Sequence, residues 1–310
     1  MRANAQTVAA SVPRIVFVSN RDEAGARPFL QSFVHGLQER GHAERRTYVL
    51  EVRYASGEST RLRSLITEGA VSRPDVLVVS GLFSARLARD ATTTVPIIVA
   101  TASDLVDAGI VRSYAHPGGN ITGIADLSDE TSAKRLELLK TALPNATRVA
   151  LLTNPDFPAT PKIEKLVGDA AQRLGIRLTM VHATDRPSLL TAVDSLEGSR
   201  QDGLLVGGDQ NSVNNAKQLI QRATALRVPV AYFWPDTAEM GALFSYQPDI
   251  MNNFRRAGLY ADRILKGMNP GELPIELPTR YELVVNLKAA RKLGITLPSA
   301  FLLRADRVIE

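Results

Sequence analysis

The sequence predicts an α/β protein made of two doubly wound parallel-sheet lobes, and three observations predict it. Short apolar runs alternate with amphipathic helical stretches, the pattern of strands buried on both faces of a parallel sheet. The strand plan repeats itself about 130 residues later, a period far beyond that of solenoids. Arg14-Ile15-Val16-Phe17-Val18-Ser19-Asn20 recurs as Arg148-Val149-Ala150-Leu151-Leu152-Thr153-Asn154. Asp75-Val76-Leu77-Val78-Val79-Ser80-Gly81 recurs as Asp202-Gly203-Leu204-Leu205-Val206-Gly207-Gly208, and Val95-Pro96-Ile97-Ile98-Val99-Ala100 as Val228-Pro229-Val230-Ala231-Tyr232-Phe233. Finally, the repeated strands end in polar residues at matching points. The cleft between two such lobes is the expected seat of function.

Taken in order, Pro13 ends a short tail and Ile15–Val18 reads as a buried strand. Phe29, Phe33 and Leu37 keep helical spacing up to Gly41. Thr47–Tyr54 reads as a strand, Arg61–Val71 as a helix, Val76–Val79 as a strand, Ser84–Asp90 as a short helix and Ile97–Ala100 as another buried strand. His116-Pro117-Gly118-Gly119-Asn120 is a turn before a strand at Ile121–Ala125. The second block opens with a helix over 130–142, capped by Ser128. Strands and helices then alternate through Val149–Leu152, Ile163–Leu174, Leu178–His182, Leu189–Leu196, Leu204–Val206, Ala216–Leu226 and Val230–Phe233. After Ala242–Tyr246 come a long helix, Ile250–Leu265, and a linker marked by Pro270, Pro274 and Pro278. A strand at Tyr281–Val285 and a helix at Leu287–Leu293 finish the chain. Returning the long helix to the first lobe gives several crossings between lobes, as in a hinged clamp.

At 310 residues, 45% of them apolar, the chain has the size of two domains. No run approaches the ~18 apolar residues of a membrane helix. The net charge of +5 comes from Lys and Arg scattered among 32 acidic residues, which reads as a solvated surface and not a nucleic-acid face. There is no cysteine in these 310 residues, so no disulfide, thiolate metal site, cysteine nucleophile or lipid-modified cysteine is expected within them. Ala3-Asn4-Ala5 has the form of a cleavage site without an apolar segment before it; a trimmed exported protein and an unstructured tail both fit.

No GxGxxG follows the first strand, where Ser19-Asn20-Arg21-Asp22-Glu23 stands instead, and there is no P-loop or GxSxG elbow. His35, His42, His116 and His182 lack ligand-like spacing. No catalytic, metal or cofactor site is therefore predicted.

In open α/β sheets ligands sit beyond the carboxyl ends of the strands. Those ends offer Ser19 and Asn20, then Ser80, Gly81, Leu82, Phe83 and Ser84, then Thr101, Ala102, Ser103 and Asp104. The second block offers Thr153 and Asn154, Asp209-Gln210-Asn211, Tyr232-Phe233-Trp234, and Ser245 and Tyr246. Hydroxyls, amides, a few carboxylates and aromatics make up a small-molecule pocket. At Ser80–Ser84 a strand ends, Gly81 turns the backbone and a helix begins near Ser84, where free N–H groups favour an anion; Ser84 as a plain helix cap fits equally. Asp104 and Asp209 are ammonium ligands or helix caps. Tyr232, Phe233 and Trp234 form an apolar slot, one of them turned into the core by strand alternation.

These residues, with Pro117–Gly123, Lys134–Lys140, Ser245-Tyr246, Pro278-Thr279, Glu282–Lys288 and Leu302–Asp306, make the chain resemble the ABC-transporter substrate-binding proteins of the tryptophan/tyrosine-type group across nearly its whole length. The resemblance implies a type I periplasmic-binding fold, two lobes on a three-strand hinge that close on an amino acid and dock on a membrane permease. Asp104, Asn154 before Pro155, Asp209 and Ser245-Tyr246 fall on positions that look like the family's cleft. Gly81-Leu82-Phe83-Ser84 replaces a small Gly-Thr-Pro turn, Gln247 a glycine, and Gln210-Asn211 residues that are often apolar, so the scaffold transfers better than the ligand.

The expectation is thus a monomeric, periplasmic solute-binding protein without catalysis, with one lobe over 13–123 plus 249–277, the other over 124–248 plus 278–310, and a disordered tail at 1–12. Its ligand contacts are Ser19, Asn20, Ser80–Ser84, Thr101–Asp104, Asn154, Asp209, Tyr232, Trp234, Ser245 and Tyr246. Ser80, Ser84 and Thr101 face a carboxylate, Asp104 and Asp209 an ammonium, and Phe83, Tyr232 and Trp234 the solute's side chain. Two rivals remain: the ligand-sensing core of a regulator, which calls for a basic helix-turn-helix of ~60 residues before Arg14, and a two-domain transferase, which calls for a phosphate loop or a general base.

Overall fold

The computed structural model describes residues 12–310 apart from 128, 129 and 235. Nearly all of the expected tail, the Ala3-Asn4-Ala5 motif and the Ser128 cap thus lie outside the described residues. The chain begins with β1 (Arg14–Ser19), α1 (Glu23–Gln38), β2 (Val49–Tyr54), α2 (Ser59–Val71), β3 (Val76–Val79), α3 (Leu82–Ala91), β4 (Ile97–Ala102) and β5 (Ile121–Ala125). It continues through α4 (Thr131–Ala142), β6 (Arg148–Thr153), α5 (Thr160–Leu174), β7 (Arg177–His182), α6 (Arg186–Asp194), β8 (Gly203–Val206), α7 (Gln210–Asn214), α8 (Ala216–Ala225), β9 (Val230–Tyr232), α9 (Asp236–Glu239) and β10 (Phe244–Pro248). It ends with α10 (Ile250–Leu265), a 3-10 turn at Pro270–Glu272, β11 (Tyr281–Asn286), α11 (Leu287–Leu293), α12 (Ser299–Leu302) and β12 (Arg307–Ile309).

These elements form two compact units, the described part of Met1–Asp126 with Ile250–Pro278, and that of Leu127–Asp249 with Thr279–Glu310. The chain passes from one unit to the other three times.

In the first unit five parallel strands lie in the order β2-β1-β3-β4-β5. Ile15–Val18 and Val76–Val79 are buried throughout, as the unbroken apolar runs require. Successive side chains serve opposite faces: Phe17 meets Phe33 of α1 at 5.6 Å and Phe254 of α10 at 6.1 Å between ring centres, whereas Val16 lies under α2 beside Gly69. Helices α1 and α10 cross at two glycines. A Cβ placed on Gly36 would stand 1.9 Å from the Arg255 carbonyl oxygen, and one on Gly258 would stand 2.2 Å from that of Phe33. Beyond the crossing, Asp262 Oδ1 holds His42 Nε2 at 2.9 Å and Lys266 Nζ at 2.7 Å. In Pro117-Gly118-Gly119-Asn120 the amide of Asn120 donates to Val95 O at 2.7 Å, and Thr122 of β5 donates to Leu273 O at 2.8 Å. That motif therefore ties β5 to its own unit.

In the second unit seven strands lie in the order β12-β11-β10-β9-β8-β6-β7. The five strands from β10 to β7 repeat the first sheet strand for strand, with β6 for β1 and β8 for β3. The last two depart from the parallel plan, because β11 runs antiparallel to β10, with Phe244 opposite Val285. No helix of this unit separates β10 from β11, and an antiparallel neighbour needs no crossover. Strand β12, too short and too exposed to show an apolar pattern, pairs parallel with β11.

The repeat has a physical core at its acidic positions. Asp75 Oδ2 accepts the Arg14 N–H at 2.7 Å, and Asp202 Oδ2 accepts those of Thr147 and Arg148 at 2.7 and 2.8 Å. Each aspartate immediately precedes the third strand of its unit and clasps the start of the first. Burial works to raise the Asp202 pKa, but the two backbone donors, the nearby Arg148 charge and the Thr147 hydroxyl outweigh it, and the pKa lies below the usual carboxylate value. A depressed folded-state pKa adds stability above the unfolded value near 3.9, and that stability is lost as pH falls through the folded value. Asp202→Asn is expected to cost about 1 kcal/mol at pH 7, discounted for partial exposure. Its urea midpoint should fall less steeply than that of the wild type between about pH 5 and pH 3. Parallel slopes would exclude the clasp as a source of acid sensitivity.

Candidate functional site

Both sheets wind in the order 2-1-3-4-5, which places the switch in winding direction between the first and third strands, β1/β3 and β6/β8. The chemistry at each carboxyl edge follows from what ends those strands.

In the first unit Ser19 is buried and its Oγ accepts the Arg21 N–H at 3.0 Å. Asn20 follows; its backbone carbonyl takes Gly57 N–H at 2.6 Å. At the end of β3, Gly81 has φ 83°, a left-handed value suited to glycine, and its N–H donates to Thr101 O at 2.7 Å. The helix begins at Leu82, two residues before the expected start. Gly81 is its N-cap and no side chain caps it, so Ser84 is a buried third residue of α3 and not a cap. The early start leaves the Leu82 and Phe83 amides without intrahelical partners at the helix end, and Phe83 is 49% exposed.

Thr101 sits at the end of β4 with its hydroxyl engaged inside the unit. It donates to Asp126 Oδ2 at 3.0 Å and accepts from Asn253 Nδ2 at 3.3 Å. Asp126 and Asn253 are both buried. The single hydroxyl proton thus faces a carboxylate of the same unit. Asp104 is buried too, and its Oδ1 receives the N–H groups of Val106 and Asp107 at 2.9 and 3.0 Å, so it caps the turn after Ser103.

In the second unit Thr153 donates to Glu164 Oε1 at 2.7 Å, the oxygen that also meets His182 Nε2 at 2.9 Å. Asn154 Oδ1 accepts the Asp156 N–H at 2.9 Å. Asp209 is the N-cap of α7, its Oδ1 accepting from Ser212 N at 2.6 Å. Tyr232 is fully buried among Ala150, Leu204 and Ile220, and its hydroxyl donates to the Ser212 carbonyl. Burial holds its pKa far above the tyrosine norm. It is the member of the aromatic trio turned into the core. Phe233 stacks on it at 5.4 Å, and Trp234 stays half-buried at the edge. Ser245 is buried in β10 opposite Tyr232, while the half-buried Tyr246 stacks on Tyr281 at 5.6 Å.

The structure thus gathers Ser19, Asn20, Ser80–Ser84 and Thr101–Asp104 at one edge and Asn154, Asp209, Trp234 and Tyr246 at the other unit's edge. It also shows residues that the strand-end reading passed over. Asp126 directly follows β5 and obeys the rule that found the others. Arg135 of α4 is buried, with its guanidinium bonded to Thr131 Oγ1 at 2.9 Å and Ser132 Oγ at 2.7 Å and placed 5.7 Å from the Phe233 ring centre. Asn253 carried no local signal. Several stretches that carried the resemblance prove structural: Asn286 caps α11 through Ala289 N at 2.8 Å, and Asp306 Oδ2 receives Leu283 N–H at 2.8 Å.

A family model described as ABC transporter substrate binding protein matches residues 15–309. A tyrosine-binding protein of Clostridioides difficile is 25% identical over 271 residues, 87% of this chain and 77% of that protein. Among solved structures, a conserved domain protein from Vibrio cholerae aligns with a TM-score of 0.86 at 26% identity, covering 96% of this chain and 99% of its own. An ABC domain from Streptococcus pneumoniae in complex with L-Trp aligns with a TM-score of 0.83 at 21% identity, covering 95% and 100%; at that identity the likeness shows the fold. With its model matched from the first strand to the last, this chain belongs to the ABC transporter substrate-binding protein family.

Proposed function

We propose that this substrate-binding protein carries an amino acid with an aromatic or branched side chain, without chemical conversion. The reading rests on the family match over residues 15–309, and the tyrosine-binding relative supports the solute class. The edge chemistry agrees with it. The open amide end of α3 suits a carboxylate, and Phe83 beside it suits an apolar side chain. Ser19, Asn20, Ser80, Gly81, Leu82, Ser84, Ala102, Ser103 and Asp104 complete the proposed contacts in the first unit. Asn154, Asp209, Ser245 and Tyr246 are those proposed in the second. Solute contacts favour the closed member of an open–closed equilibrium.

The protein's other partner in this proposal is the membrane permease of an importer. Its site of action is outside the cytoplasmic membrane, as a monomer that binds no nucleic acid. Among the described residues no helix is long and apolar enough to cross a membrane. The family match gives the regulator and transferase readings no support.

A thermal-shift screen of unfolded and refolded protein against the twenty amino acids and small aromatic acids tests the proposal. A solute at about 100 times its Kd adds about 2.7 kcal/mol, a shift of several degrees. A rise confined to one aromatic or branched amino acid is the expected result; no rise with any amino acid sinks the solute class.

A further inference from the structure

We infer that Asn20 accepts the hydrogen bond of the solute's α-ammonium group, which makes it the residue that selects amino acids over their des-amino counterparts. The inference rests on the amino-acid reading above and assigns one of its contacts.

Asn20 Oδ1 is buried and has no hydrogen-bond partner. Buried acceptors in folded proteins are nearly always met, so an unmet one at a strand end calls for a donor from outside. Its repeat counterpart shows that the position itself does not force this. Asn154 ends β6 as Asn20 ends β1, and Asn154 Oδ1 takes the N–H of Asp156, two residues on. In the first unit that duty has moved to Ser19, whose Oγ takes the Arg21 N–H at 3.0 Å. The serine hydroxyl closes the turn and frees the asparagine amide. The neighbouring Arg21 guanidinium lies over the Phe29 ring, 4.8 Å from its centre.

Location gives the unmet acceptor its meaning. Phe17 pairs with Val78, and the same register carried three residues further sets Asn20 beside Gly81, one strand spacing of about 4.8 Å away. Asn20 and the start of α3 therefore flank the switch point of the first sheet, an acceptor on one side and amide donors on the other. An α-amino acid carries donor and acceptor on adjacent atoms and matches that pair. The two carboxylates otherwise available for an ammonium each have an oxygen engaged in a cap, Asp104 with Val106 and Asp107 and Asp209 with Ser212. Oδ1 is covered while Asn20 as a whole is only half-buried. A turn about χ2, a soft torsion in asparagine, presents the oxygen without moving the backbone.

The test compares wild type, Asn20→Leu and Asn20→Asp by calorimetric titration with L-tyrosine, L-tryptophan and their des-amino analogues, 3-(4-hydroxyphenyl)propionate and indole-3-propionate. Asn20→Leu is expected to weaken amino-acid binding about tenfold or more. It should leave the melting temperature of the free protein unchanged or higher, because it removes an unmet buried acceptor. Asn20→Asp, which offers a charged acceptor, should bind within about threefold of wild type or tighter. Loss of the ammonium from the probe should cost the leucine variant far less than the wild type, the coupling that a double-mutant cycle isolates. Unchanged amino-acid affinity in Asn20→Leu overturns the assignment. So does a larger loss in Asn20→Asp than in Asn20→Leu, which would place the solute carboxylate at this residue. A wild type that answers none of the twenty amino acids overturns the amino-acid reading and this assignment with it, and is distinguished by failing before any variant is compared.

Discussion

Gly258→Ala is expected to cost about 3 kcal/mol or more and to lower the melting temperature of the first unit by about 6–12 °C. The physical reason is the crossing of α1 and α10, where the new methyl would stand 2.2 Å from the Phe33 carbonyl oxygen. That oxygen belongs to a helix backbone and has no rotamer to escape into, so the two helices must separate. Separation opens the seam between Phe29 and Phe254, whose rings lie 5.1 Å apart, and interiors as dense as crystals do not relax around such a wedge. Gly36→Ala should do the same, with its methyl 1.9 Å from Arg255 O. Gly168→Ala is the control. It lies within α5 with no atom near its absent Cβ, and alanine there should stabilise by about 0.5–1 kcal/mol through helix propensity. Equal melting temperatures for Gly258→Ala and wild type would show that the helices do not cross at these glycines.

Thr101→Val should destabilise by about 2 kcal/mol, read as a lower urea midpoint at unchanged m-value. Valine keeps the shape and removes the hydroxyl that joins Asp126 to Asn253. Both partners stay buried, so a carboxylate and an amide each lose a hydrogen bond with little water to replace it. Thr101→Ser, which keeps the hydroxyl, should lose less than half as much. Identical midpoints for threonine and valine would mean that the network contributes nothing to folding.

These two features also mark where the sequence stops being informative. The strands were legible because each is a local run: Val76–Val79, Ile121–Ala125 and the long helix Ile250–Leu265 stand where periodicity and turn residues put them. The duplication was legible because the Asp75 and Asp202 clasps repeat in sequence as well as in space. The glycine crossing was not, since Gly36 inside a helical pattern looks like a defect until its distant partner is known. Nor was the Thr101 network, whose members come from β4, the end of β5 and α10. Within the candidate site, residue types announced polarity but not allegiance. An aspartate at a strand end reads equally as a ligand carboxylate or as a cap, and only hydrogen-bond geometry showed that Asp104 and Asp209 cap. Tyr232 and Trp234 read alike in the chain, yet one belongs to the core and the other to the edge. Strand β12 and the early start of α3 escaped because three residues, two of them exposed, carry no period and Leu82-Phe83 carries no cap signal.

The contact between α1 and α10 joins residues more than 200 positions apart in sequence, as Gly36 and Gly258 show. A chain made from its amino end therefore completes the first sheet long before the helix that covers one of its faces exists. During that interval Phe17, Phe29 and Phe33 present an apolar surface with no native cover, the condition that favours aggregation or chaperone capture. Closing so large a loop adds little to the equilibrium entropy cost, which grows only as the logarithm of length, but contacts this remote in sequence slow folding. The interleaved order of the segments makes maturation of the first unit an event of late synthesis, timed by the arrival of Gly258.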